Sequence, residues 1–170
     1  MSSFQKTPNE FQRLDYRLLQ NGAVTMYLRK EFLGEDLIQL EKYGYQIYNF
    51  DCLSWKTIED VYESFSRTLK FPDYFGYNLD ALSDCLIDLE VSEKSGIVLV
   101  FRRYDAFSFS SDVAWSILDT IERISRHHLL FGRRFFVLVQ TDDPLIRFDN
   151  LGGHSAYWNW REFLNSNRGL

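Results

Sequence analysis

GIVLVF, residues 96–101, is an unbroken apolar run containing an isoleucine and two valines. So short a run, rich in β-branched residues, reads as a strand covered on both faces, the situation of strands in a parallel sheet. FFVLVQ, residues 135–140, repeats the pattern. Between the two, Asp112 is placed to cap a helix carrying Val113, Ile117, Ile121 and Ile124, with Gly132 near its end.

Toward the N-terminus, Thr57-Ile58-Glu59-Asp60 fits a capping box with aspartate in the acidic role. Ile58, Val61, Tyr62, Phe65 and Leu69 then follow at helical spacing, giving an amphipathic helix that ends near Lys70, since Pro72 forbids its simple continuation. Gly76 marks a turn, and Asn78 caps a second helix over about Leu79–Glu90. YQIYNF, residues 45–50, reads as a strand; Val24–Leu28 reads as a short one, followed by a helix over about Glu35–Lys42. Residues 1–21 show no clear element, and after Asp142-Asp143-Pro144 the chain reads as an irregular tail ending in the cluster Tyr157-Trp158-Asn159-Trp160. Strand, helices, strand, helix, strand is an α/β order: a small parallel β-sheet with packed helices and right-handed crossovers.

A chain of 170 residues sustains one domain with a substantial core. Its composition, 45% hydrophobic and 25% charged, is that of a globular protein, while 17% aromatic residues calls for a large core or an adhesive surface. The net charge of −5 argues against binding nucleic acid through its phosphates, which takes clustered Lys and Arg. From Phe71 to Glu93 the chain carries six acids and no Lys or Arg, so the remainder nets +1 and the acidity is local. Cys52 and Cys85 lack the spacing of a zinc site or a disulfide framework and read as buried free thiols of a reducing compartment. With no apolar leader and no uncharged run long enough to span a bilayer, the expected location is the cytoplasm, away from membranes.

At about 100° per residue, Leu79, Leu82, Leu86 and Leu89 form the core stripe of the second helix. Asp80, Asp84 and Asp88 lie opposite, with Ser83 and Ile87 on their flank, so that Ile87 is displayed among carboxylates. Like charges four residues apart cost an isolated helix roughly 0.2–0.5 kcal/mol per pair. Asp80, in the first turn, is explained equally well by the helix dipole or by a partner, whereas the dipole opposes Asp88 and hardly helps Asp84. A glycosidase pair or a metal site would need further convergent ligands, and no metal, cofactor or nucleophile motif is present, so no enzyme activity and no cofactor are expected. A rigid polyanion that occupies a basic pocket on another protein is the better chemical reading.

PDYFGYNLDALSDCL, residues 72–86, resembles the signature of the barstar family, intracellular inhibitors of secreted microbial ribonucleases. The order of elements over about Tyr45–Gln140 agrees with the small parallel sheet of that family. The resemblance implies that Tyr74 packs on a nuclease and that Asp80 and Asp84 enter its active site, Asp84 at the substrate-phosphate position. Ser83 replaces a tryptophan of the founding inhibitor, and Ile87-Asp88-Leu89 replaces a Thr-Gly-Trp stretch, so those positions are expected to alter partner choice. The inhibitor's acid from its last helix aligns loosely with Glu122-Arg123. Beyond the resemblance lie an N-terminal extension, 1–44, expected to add a strand and helix, and a C-terminal extension, 141–170, expected to pack on the 45–140 domain or to form a second contact surface. Within the latter, Trp158, Trp160 and His154 read as an aromatic lid, while His127-His128 and Arg133-Arg134 read as ordinary helix-end and loop cations. Two functions remain: a ribonuclease inhibitor, more broadly a bacterial immunity protein against a basic toxin nuclease, or a barstar-like protein-binding module without inhibition.

Overall fold

The apolar runs and amphipathic segments resolve, in a computed structural model that describes residues 4, 5, 7–107 and 111–170, into five α-helices and five strands, alongside short 3-10 turns. They are α1 (Leu14–Leu19), β1 (Val24–Tyr27), α2 (Lys30–Lys42), β2 (Gln46–Asp51), α3 (Ile58–Leu69), α4 (Leu79–Ile87), β3 (Ile97–Arg102), α5 (Ser111–Leu130), β4 (Phe135–Gln140) and β5 (Tyr157–Trp158). Part of the polar N-terminal stretch, residues 1–3 and 6, lies outside the described residues. All strand pairs are parallel, in the order β2-β3-β4-β1-β5, with Leu99 opposite Tyr48 on one side and Val137 on the other.

The continuous apolar runs are strands because both their faces are covered: every residue of β4 and all but the last of β3 are buried. Ile97, Leu99, Phe101, Phe135, Val137 and Val139 feed a core beneath α3, α4 and α5, and Val98, Val100, Phe136 and Leu138 feed a second core beneath α1 and α2. Much of the aromatic content sits in the first, where Trp55 and Phe65 stack at 6.1 Å and Phe101 and Tyr104 at 5.3 Å between ring centroids. Gly96, at the entrance to β3, is required by close approach, since a Cβ there would stand 2.4 Å from the carbonyl oxygen of Arg134.

Several elements depart from the local reading. α2 starts at Lys30, well before Glu35, with no side-chain cap of its own. Its entrance is instead capped from far along the chain: the Leu28 and Arg29 N–H groups donate to the Glu162 carboxylate at 3.0 and 2.8 Å. α5 starts at Ser111, so Asp112 lies inside its first turn and does not cap it. α4 ends at Ile87, not Glu90: Asp88 is its C-cap, with its N–H still donating to the Asp84 carbonyl at 3.1 Å, and Val91 beyond it is buried in the core. Cys52 is buried as expected, but Cys85 is only half-buried.

His128 and Arg134 are not ordinary surface cations, since both are buried. Arg134 donates to Asp15 at 3.2 Å, and Asp15 also accepts from Arg13 at 2.8 Å and from the Tyr45 hydroxyl at 2.8 Å. Burial pushes the Asp15 carboxyl up, but hydrogen bonds from Arg13 and Tyr45 and the charges of Arg13 and Arg134 outweigh it and hold it below the usual carboxylate range. The chain ends are tied to each other around Asp36, which accepts from Tyr27 at 2.6 Å, Asn159 at 3.1 Å and Arg161 at 2.6 Å. Trp158 packs on the main core from β5, while Trp160 remains 39% exposed.

Candidate functional site

The loop between α3 and α4 is built by alternating inward and outward aromatics. Thr57 and Asp60 form the capping box that starts α3, and Lys70, at φ 55°, ends it in the left-handed conformation. The chain then turns with Phe75 N–H donating to the Pro72 carbonyl at 2.9 Å. Phe75 is buried against Phe71 and Tyr62, at 5.0 and 6.2 Å between ring centroids, and this anchors the loop from below. Tyr74, its neighbour, is thereby turned outward and is 81% exposed. Tyr77, at φ 50° and 51% exposed, leans on Phe75 at 4.8 Å. Tyr77 is not singled out by the sequence, where it is one of four aromatics in FPDYFGY; its place right after the turn glycine Gly76 is the signal that marks it.

Asn78 connects loop to helix. Its side chain accepts from Ala81 N–H at 2.9 Å and donates to the Gly76 carbonyl at 3.1 Å, capping α4 while holding the turn. Leu82 and Leu86 are fully buried and fix the rotation of the helix, with Leu79 half-buried beside them. Asp80 and Asp84 are consequently exposed, Ser83 is half-buried, and Asp88 is exposed at the C-cap. Ile87 is not displayed among the carboxylates: it is half-buried and packs on the main core. Leu89, beyond the helix end, is half-buried too.

Among the described residues, none of Asp80, Asp84 and Asp88 makes an ion pair, although other acids in the molecule do. Their joint field is felt by neighbouring groups. Burial pushes the Cys85 thiol up, and Asp88 and Asp84 push it further; burial likewise raises the Tyr62 phenol, with Asp80 and Glu59 adding to it. A cleft of about 310 Å³ beside the helix brings Tyr74 together with Asp88, Glu90 and Cys85. Glu122 does not join this surface. It is buried on α5, accepts from Ala23 N–H at 2.6 Å and has Arg126 at 3.7 Å, so its carboxylate is committed inside. No group of three or more His, Cys, Asp and Glu positioned for a metal occurs among the described residues, nor is any of their helices long and apolar enough to cross a membrane.

Fold and surface together define a class: a parallel α/β domain presenting an exposed acidic helix face behind an anchored aromatic loop. The family model described as "Barstar (barnase inhibitor)" matches residues 45–140, and the chain belongs to the barstar family, a family of ribonuclease inhibitors. It is 33% identical over 76 residues to a Bacillus subtilis (strain 168) protein named "Putative ribonuclease inhibitor YrdF", covering 42% of this chain and 77% of that one. Among solved structures it is similar to a chain in "Structure of Drosophila ORC bound to AT-rich DNA and Cdc6", with a TM-score of 0.48 and 14% identity over 73% of this chain. The match spans 41% of that chain, and a likeness of this degree carries no argument about fold or function.

Proposed function

We propose that the protein inhibits a ribonuclease by inserting α4 into its basic active site, and that it serves as the immunity protein for a cognate nuclease toxin. The observation that carries this reading is the exposed acidic face of α4, which makes no ion pair among the described residues yet rests on buried Leu82 and Leu86. A nuclease active site must hold phosphates with Arg, Lys or His, and a rigid row of carboxylates satisfies those groups without any chemistry. Asp84 takes the central position, Asp80 the adjoining one, and Tyr74 packs beside them. Ser83, Ile87 and Asp88 adjust which nuclease is accepted, Ile87 through the seating of the helix and Asp88 through the cleft it shares with Tyr74. The inhibitory unit is 45–140, and 1–44 and 141–170 are extensions that complete its sheet. It acts in the cytoplasm on a protein partner and binds neither nucleic acid nor membrane.

The test uses the whole chain and its Asp84→Ala variant as parallel baits in lysate of the source organism, followed by assay of whatever the wild type alone retains. Recovery of a basic nuclease, silenced at one-to-one stoichiometry by wild type only, is the expected result. Recovery of a basic protein with no nuclease activity would replace inhibition with a purely protein-binding role.

A further inference from the structure

At the end of the sheet remote from β2, α1 and the C-terminal segment enclose a half-open cleft of about 410 Å³, within the size range of small-molecule sites. Its floor is Thr25 of β1 and its register partner Tyr157 of β5, and its walls include Leu18, Trp158 and Trp160, with Arg17 at the rim. By strand alternation Thr25 shares the sheet face of Ala23 and Tyr27, the face on which α1 packs.

Two polar features face the cleft. Thr25 is only 7% exposed, yet its hydroxyl has no hydrogen-bond partner among the described residues. The hydroxyl itself is open to the cleft, where a ligand can reach it. Trp160, in turn, is held between two guanidinium groups, Arg17 at 3.8 Å and Arg161 at 4.8 Å from its ring centroid. Arg161 has its charge matched by Glu35 and Asp36, at 2.8 and 2.6 Å. Arg17 makes no ion pair among the described residues. The aromatic stack therefore immobilises a cation at the mouth of an apolar slot whose interior offers one unused hydroxyl.

We infer that this cleft binds a small planar aromatic anion, with its ring in the slot beside Trp158 and Trp160, its anionic group on Arg17 and a polar ring substituent on the Thr25 hydroxyl. The site goes beyond the inhibitory surface: it is built from α1, β1 and β5, none of which contributes to the acidic helix or its loop. A hydroxyl open to the cleft and an unmatched cation at the rim meet the two polar groups of such a ligand, and aromatic walls supply the rest.

Naphthalene-2-carboxylate, with its neutral carboxamide as the control, probes the site by amide chemical-shift titration of the full chain. Saturable shifts confined to residues 17–25 and 157–163 are expected, with the carboxylate binding more tightly than the amide. Arg17→Gln should weaken the carboxylate about tenfold and leave the amide little affected. Thr25→Val, which keeps shape and removes the hydroxyl, should leave 6-hydroxynaphthalene-2-carboxylate without its advantage over the unsubstituted acid, at an unchanged melting temperature. Shifts that fail to saturate in the millimolar range would overturn the inference, as would equal affinities in wild type and Arg17→Gln. A concentration-dependent doubling of mass with the same residues shifting in the absence of probe would also overturn it, assigning the cleft to a second copy of the chain.

Discussion

The Nε2 of His128 lies 2.9 Å from the main-chain carbonyl oxygen of Leu86, which ties the last turn of α4 to α5. A carbonyl only accepts, so Nε2 carries the proton, and the buried Nδ1 has no partner among the described residues. Burial lowers the pKa of the ring, and His127 and Arg133 lower it further, against the opposing pull of the Leu86 carbonyl.

Stability should therefore depend on pH through this residue. The unfolded chain takes up the His128 proton as pH falls through about 6.5, while the folded chain resists it. The contribution is complete above that value and is lost as pH falls toward the lower folded pKa, by up to about 1.4 kcal/mol per pH unit. Urea unfolding at pH 7.5 and at pH near 5 measures the loss. His128→Gln, whose amide can still donate to Leu86, should flatten the slope in that interval; an unchanged slope would assign it to other groups.

Asp84→Ala is expected to move stability and affinity in opposite directions. Removing one carboxylate from a row of like charges should raise or leave unchanged the melting temperature, a gain of at most roughly 0.5 kcal/mol per pair. Affinity for the captured nuclease should fall by several kcal/mol, on the scale of about 1.5–7 kcal/mol known for close charge pairs in the family's founding complex. Calorimetric melting and titration of the same preparations separate the two. A lowered melting temperature with unchanged affinity would remove Asp84 from the interface.

Asn78 and Tyr74 should separate in the same manner. Asn78→Ala removes the cap of α4 and should cost about 1 kcal/mol in denaturant unfolding. Tyr74→Ala, on an exposed side chain, should stay within about 0.5 kcal/mol of wild type while weakening the nuclease complex. A Tyr74 variant as unstable as the Asn78 variant would contradict the outward placement of that ring.

Glu122→Ala should destabilise without touching affinity. It strands the Ala23 N–H, which is engaged at 2.6 Å, at a cost of about 1–3 kcal/mol. Unfolding and nuclease titration in parallel check this, and a loss of affinity at constant stability would restore Glu122 to the partner surface.

Local signals in the sequence carried most of the fold. β3 and β4 were legible because strands buried on both faces need continuous apolar runs, and α3 because its capping box is complete within four residues. The start of α2 was hidden since its cap, Glu162, comes from the other end of the chain. Arg134 looked like a loop cation because Asp15, which neutralises it, is remote in sequence. Helical spacing put Asp80 and Asp84 outward, as found, but placed Ile87 at the edge of the polar stripe, where only the packing around α4 decides burial. β5 was read as tail because two residues show no period, and only the β1 edge makes them a strand.

The position of β1 has a consequence for synthesis. Its partners on either side are β4 and β5, both distant in sequence. β2, β3 and β4 can join as they emerge from the ribosome, whereas Val24–Tyr27, translated before all three, finds no neighbour until residues 135–140 have been made. Such long-range closure is slow and leaves strand edges open meanwhile. β1 is translated before its neighbours yet seated after them, so the moment at which the sheet closes is set by residues 135–158 and not by those that carry the acidic helix.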